Sequence, residues 1–285
     1  MRTLIFPGLL LAAAAHAQDF RASMLPSARE QAQYIVGTSN QHWVGGQVNW
    51  YYNPLNQPSN LSTAAVVNAM QVAAARWSSM CNVTFTYMGT TSATPIVDGG
   101  AASVDRINVF GWGLLQGDQA GYGAYTQWWW VGNGLVDADI IINTAFNWTA
   151  QNVEAIMTHE VGHALGISHS DVSTSVMFSS PYHSYSYMRT LRGDDADACA
   201  ALYGASSTVN SNRAFNWAEA VYSQYLSPSL AVSAIFDGYY YRYYPGTNSY
   251  VGTRDGNVYY MGSNGVIQNM GTLNSYTTQV HNAGY

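Results

Sequence analysis

Two periods of apolar and polar residues alternate along this chain. Gln47 to Tyr52 (Gln-Val-Asn-Trp-Tyr-Tyr) alternates with period two, so it predicts a strand that Asn53-Pro54 closes. From Ser62 to Met80 the pattern changes. Val66, Ala69, Met70, Ala73 and Trp77 recur at helical spacing, and Ser62 is placed to cap the helix. Val83 to Tyr87 returns to period two. Residues 89–103 are rich in Gly, Ala, Ser and Thr and read as a loop before a third strand, Ile107 to Phe110. Gly121 to Gln127 and Val136 to Asn143 predict two more strands. In the second, Asp137 and Asp139 share one face, and Ala138, Ile140 and Ile142 share the other. A helical period then runs from about 150 to 166, with Thr149 as its cap. A last helix is expected over 190–204, where Asp194 and Asp195 near the start suit the helix dipole and Gly204 stops it. The opening order of strand, helix, strand and strand predicts an α/β (α+β) domain.

Beyond it the pattern changes again. Residues 205–213 are polar and read as a linker, and Asn216 to Leu226 predicts a short helix. Tyr239 to Tyr244, Ser249 to Val251 and Asn257 to Met261 predict strands, with turns at Pro245-Gly246 and Asp255-Gly256. This describes a small Tyr-rich β-meander. Two readings of its tyrosines stay open. They fill both faces of a small sheet, or they present a surface for a polymer or a cell surface.

The helix over 150–166 carries the chemistry. His159 and His163 lie one helical turn apart, so both rings leave one face, as two imidazole ligands of a tetrahedral Zn²⁺ must. Glu160 is placed to reach a water at the metal without ligating it, as a general base requires. Gly166 stands where the helix stops, which lets the chain turn back and bring His169 as a third ligand. Three ligands leave one position open, the mark of a catalytic zinc rather than a structural one. Val153, Met157, Val161, Ala164 and Leu165 make the opposite face apolar.

The stretch His-Glu-Val-Gly-His-Ala-Leu-Gly-Ile-Ser-His-Ser (159–170) resembles the metzincin consensus, and Ser170 after the third His resembles the matrixin branch. Met177, eight residues after His169, matches the methionine turn that supports the zinc in that clan. The Ala-Asp-Ile pattern before the helix is similar to bacterial matrixin-like proteases. The resemblance implies a metzincin-type catalytic domain: a twisted mixed sheet with an antiparallel edge strand and two to three helices. It implies a zinc endopeptidase acting on protein or peptide substrates by a metal-activated water, with Glu160 as base. It also implies that substrate adds to the edge strand, for which Gly121, Tyr122, Gly123, Ala124 and Tyr125 are the candidates. Pro181 and Tyr182 match loosely the segment that walls the pocket beyond the scissile bond. Vertebrate matrixins hold a second zinc with upstream histidines. Between His42 and His159 this chain has none, so one zinc is expected. The propeptide cysteine that silences many matrixins is absent too. Asp137 and Asp139 are left with two readings, Ca²⁺ ligands or water-facing caps of the sheet. The competing function is a secreted binding or adhesion protein with a vestigial zinc site and a polymer-binding tail.

Composition adds the setting. Arg2, the apolar run Leu4 to Ala15 and Ala15-His16-Ala17 read as a signal peptide over 1–17, followed by an arm or short propeptide over 18–40. The catalytic domain is expected over 41–205 and the Tyr-rich module over 206–285. Export places the chain outside the cell or in a periplasm, where Cys81 and Cys199 are expected to pair. All ten basic residues are Arg, the formal charge is −6, and no basic run suits a nucleic acid. No stretch of 18 apolar residues predicts a membrane span.

Overall fold

Strand β1 (Gln47–Tyr52) sits near the centre of the first sheet because its alternation buries Val48, Trp50 and Tyr52 on one side. A computed structural model describes residues 40–96, 104–179 and 184–284. The signal peptide, nearly all of the arm, Pro181 and Tyr182 lie outside these described residues. Around β1 run β2 (Thr84–Thr90), β3 (Asn108–Gly113), β4 (Ala124–Val131) and β5 (Gly134–Asn143), in the order β2-β1-β3-β5-β4. All neighbours are parallel except β4, which pairs antiparallel with β5 and forms one edge. The sheet is mixed, as expected.

Helices α1 (Thr63–Met80) and α2 (Ala150–Ala164) cover its apolar face. Ser62 and Thr149 cap them by accepting from Ala65 N and Asn152 N. Both caps satisfy N–H groups that the helix itself cannot. Between helices and sheet lie Trp50, Trp77, Phe110, Ile140, Ile142, Trp148, Met157 and Val161. A short helix α3 (Tyr185–Met188) and α4 (Gly193–Tyr203) complete this layer. Cys199 of α4 is disulfide-bonded to Cys81 at the end of α1, with Cα atoms 5.6 Å apart.

Three expectations need correction. The polar stretch 205–213 is not an extended linker. Helix α5 (Val209–Val221) begins inside it, and Asn212, Asn216 and Trp217 are buried there. Polar composition misled because these Asn side chains are used as hydrogen-bonding groups inside the protein. Asp137 and Asp139 do not face water. Both are fully buried, and three of their four oxygens accept main-chain N–H groups of Ile96, Asp105, Arg106 and Val109. They fasten the crossover between β2 and β3 onto the sheet. Asp194 and Asp195 also do more than suit a helix dipole, as described below.

The C-terminal part is a five-stranded antiparallel meander in sequence order, β6 (Val232–Phe236), β7 (Tyr239–Tyr244), β8 (Ser249–Arg254), β9 (Asn257–Met261) and β10 (Ile267–Thr272). Asp255 and Gly256 both have positive φ, the requirement of the tight hairpin turn between β8 and β9. One face packs Tyr244, Val251 and Val258 on α5 through Phe215, with α6 (Leu273–Asn282) alongside. The opposite face pairs Tyr239 with Tyr259 and Tyr250 with Tyr241 and Tyr243.

A buried polar cluster joins this unit to the first. Arg76 of α1 donates to Glu154 of α2 at 2.8 Å and to Pro228 O at 2.6 Å. Leu230 N donates to the other oxygen of Glu154. Glu219 of α5 accepts from Arg242 of β7 at 2.7 Å and from Thr190, and lies 3.9 Å from Arg76. Burial alone pushes the Glu219 carboxyl up, but Arg242 and Arg76 together hold it below the ordinary range. Asn212 Nδ2 reaches Ser79 O at the end of α1. The second unit is thus tied to both helices of the first, to α1 through Arg76 with Glu219 and Pro228 O and to α2 through Leu230 N on Glu154.

Candidate metal centre

Helix α2 delivers two of the three imidazoles. His159 and His163 are buried, with their Nε2 atoms 3.1 Å apart. The chain then stops the helix and returns. Gly166 takes φ +88°, and Ile167 N bonds back to Gly162 O, a Schellman-type ending. A Cβ at Gly166 would strike the Gln41 carbonyl, so glycine is needed for space as well as conformation. The return brings His169, which is exposed, with its Nε2 3.2 Å from that of His163. His159, His163 and His169 form the one cluster among the described residues with the geometry to hold a metal ion.

The hydrogen bonds behind the rings test whether a metal fits. His159 Nδ1 lies 2.7 Å from Val176 O, and His163 Nδ1 lies 2.8 Å from Ile167 O. A carbonyl only accepts, so each Nδ1 carries the proton and each Nε2 presents a bare lone pair. Two bare lone pairs 3.1 Å apart repel unless a cation sits between them. A zinc tetrahedron with Zn–N of about 2.0–2.1 Å separates its nitrogens by about 3.3 Å. Charging the rings instead is disfavoured. Burial lowers the pKa of all three, and that of His163 falls well below the usual value because His159 and His169 also oppose its charge. The donor set therefore fits a zinc ion.

Glu160 is also buried, and burial pushes its carboxyl up to about 7, opposed by a hydrogen bond from Thr126. Thr126 Oγ1 lies 2.5 Å from Glu160 Oε2. No cation pairs with this carboxylate among the described residues, in contrast to Glu154 on the same helix.

Met177 lies fully buried beneath the helix. Its place depends on Gly162, the third residue after His159. A Cβ there would come within 2.7 Å of Trp77 Cζ2 and nearer still to Met177 Sδ. Asp195 holds the methionine turn from the other side by accepting from Ser175 Oγ, Val176 N, Met177 N and Arg192 N. Because Val176 O is the carbonyl behind His159, Asp195 acts on the metal site through it. Ser170 donates to Asp194 at 2.6 Å, and its own N–H bonds Met177 O. The carbonyls at the end of α2 are met from afar, Ala164 O by Trp43 Nε1 and Leu165 O by Tyr203 OH.

Sequence reasoning had not singled out Gly162, Trp43, Thr126, Tyr203 or the clamping role of Asp195. Only Gly162 had a signal, its place inside the motif. Of the expected substrate segment, only Ala124 and Tyr125 belong to the edge strand. Gly121, Tyr122 and Gly123 precede it, with Tyr122 half exposed. Strand β4 instead continues through Trp128, which stacks on the His163 ring with centroids 5.8 Å apart.

Residues 117–204 match the model of the matrixin family, peptidase M10. The chain is 27% identical over 182 residues to interstitial collagenase of Oryctolagus cuniculus, an overlap covering 61% of this chain and 36% of that one. It is 32% identical over 81 residues to stromelysin-3 of Xenopus laevis, covering 28% of this chain and 14% of that one. The chain thus spans only about a third or less of the length of these relatives.

Proposed function

We propose that the chain is a matrixin-like metzincin, a zinc endopeptidase that cleaves protein or peptide substrates at the His159–His163–His169 centre. The observation that carries this reading is the pair of bare Nε2 lone pairs 3.1 Å apart, with both protons committed to carbonyls on the far side. A zinc ion bound there supplies a Lewis acid that acidifies water and polarises the scissile carbonyl. His159, His163 and His169 hold it and leave one side open, since His169 stands at the surface. Glu160 takes the proton from the attacking water and returns it to the leaving amine. Burial disfavours its charged form and so favours taking up the proton. Asp195, through the turn that carries Met177, keeps the Val176 carbonyl behind His159 in place and moves no proton.

Strand β4 receives the substrate. Among the described residues it is an edge of the sheet, so N–H and C=O groups on its outer side can pair with an extended peptide a short distance from Glu160. The sequence of residues 1–17 and the Cys81–Cys199 disulfide support export from the cytoplasm. Among the described residues no helix is long and apolar enough to cross a membrane.

Metal analysis and a peptide-cleavage assay test the reading together. Chelation should abolish cleavage, and zinc should restore it. His163→Ala should purify without zinc and without activity. A His163→Ala variant that keeps full zinc would refute the ligand assignment.

A further inference from the structure

We propose that Thr126 is the positioning residue of the catalytic carboxylate, tying Glu160 to the strand on which substrate lies. The inference rests on the reading of Glu160 as general base. Thr126 is on the edge strand β4, buried, and its side chain meets Glu160 of helix α2. Its Oγ1 lies 2.5 Å from Glu160 Oε2 and 3.2 Å from Glu160 O. A threonine hydroxyl has one proton, and the shorter contact to a carboxylate takes it. Among the described residues Thr126 is the hydrogen-bond partner of the Glu160 side chain. One carboxylate oxygen is therefore held, and Oε1 is left to meet the water.

The consequence is geometric. A glutamate side chain has several rotors, and a base that is free to turn spends little time aimed at its proton. Threonine is branched at Cβ and stiff at its first rotor, so a hydroxyl on a strand is a firm anchor. The anchor also belongs to the element that takes the substrate. Thr126 sits opposite Ile140 in the β4–β5 ladder, and the outer edge of β4 is the free one. The strand that sets the height of the scissile bond thus also sets the height of the base. Misplacement of a catalytic group by about 1 Å can cost on the order of 10²-fold in rate.

Thr126→Val keeps the branched shape and removes the hydroxyl. It should lower kcat by about 10- to 100-fold while KM stays within about 3-fold, because substrate binding does not use the hydroxyl. Thr126→Ser should recover most of the loss. Zinc content should stay at the wild-type level in both. A readout without catalysis accompanies these. In a melting-temperature cycle on the metal-free protein, Thr126→Val and Glu160→Ala should be non-additive, since they remove two ends of one hydrogen bond. Wild-type kcat in Thr126→Val, or strictly additive melting shifts, overturns the proposal. The parent reading fails separately: a Glu160→Gln variant that cleaves at the wild-type rate removes the base, whereas an inactive Glu160→Gln beside a fully active Thr126→Val removes only the anchor.

Discussion

Helix α2 carries two buried glutamates six positions apart in sequence, and they live opposite lives. Glu154 is fully buried and fully matched. Arg76 pairs with one oxygen and Leu230 N with the other, and the cluster continues through Glu219 to Arg242. Glu160 is nearly as buried, yet among the described residues a single hydroxyl is the partner of its side chain, and burial drives its pKa up to about 7. Burial is common to both, so burial does not mark function. The mark is that no cationic side chain pairs with Glu160 among the described residues. A protein that buries a carboxylate without a cation forgoes stability, and such places cluster at active sites. The histidines follow the same rule, with three neutral rings pointed at one another.

The contrast predicts opposite outcomes for the same substitution. Glu160→Ala should lose activity by at least about 10²- to 10⁴-fold. Its stability should change little or rise, because an uncompensated buried acid is removed. Glu154→Ala should do the reverse in kind. It takes from Arg76 its nearer carboxylate, leaving Glu219 at 3.9 Å, and should cost about 3 kcal/mol, read by denaturant unfolding. A Glu154→Ala protein as stable as wild type would show that the cluster holds nothing together.

A smaller effect separates the two regions by pH. Burial lowers the histidine pKa values in the folded, metal-free protein below the usual 6.5. The unfolded chain then binds protons first, so stability is full above about 6.5 and falls as pH drops through that value toward the lowered ones. Glu219 is held below its ordinary value of 4.5, so its contribution is present above that value and lost only as pH falls below it. In the same window Glu160 and Asp139, whose carboxyls are pushed up to about 7, work the other way and stabilise the fold as pH falls. The histidine part is therefore read as a difference: between about pH 7 and pH 5 the melting temperature of metal-free His163→Leu should fall less, or rise more, than that of wild type. Parallel pH profiles in the two proteins would place the effect elsewhere.

Local pattern told much of this in advance, and distant pairing told the rest. Strand β1 runs from Gln47 to Tyr52, where the alternation put it, and Ser62 and Thr149 cap the helices as their chemistry suggested. The motif on α2 is legible because its residues are neighbours on one turn. Thr126 was not, since it meets Glu160 across 34 residues and two elements, and a lone threonine in a strand carries no signal. Arg76 and Glu154 are 78 residues apart, so nothing in the order of residues pairs them. Asp137 and Asp139 misled for a related reason. Alternation assigned them one face, but not that the β2–β3 crossover lies over that face and needs acceptors for its N–H groups. The stretch from 205 misled by composition, because Asn212 and Asn216 look solvated until Arg242 is placed beside them.

One measurement bears most directly on the central claim that Glu160 is a working base beside a zinc held by three histidines. Zinc content and peptide cleavage are determined on the same preparations of wild type and Glu160→Gln. The account predicts about one zinc per chain in both proteins and cleavage in the wild type alone. Cleavage by Glu160→Gln at the wild-type rate, or undiminished cleavage by wild type stripped of zinc, would contradict it.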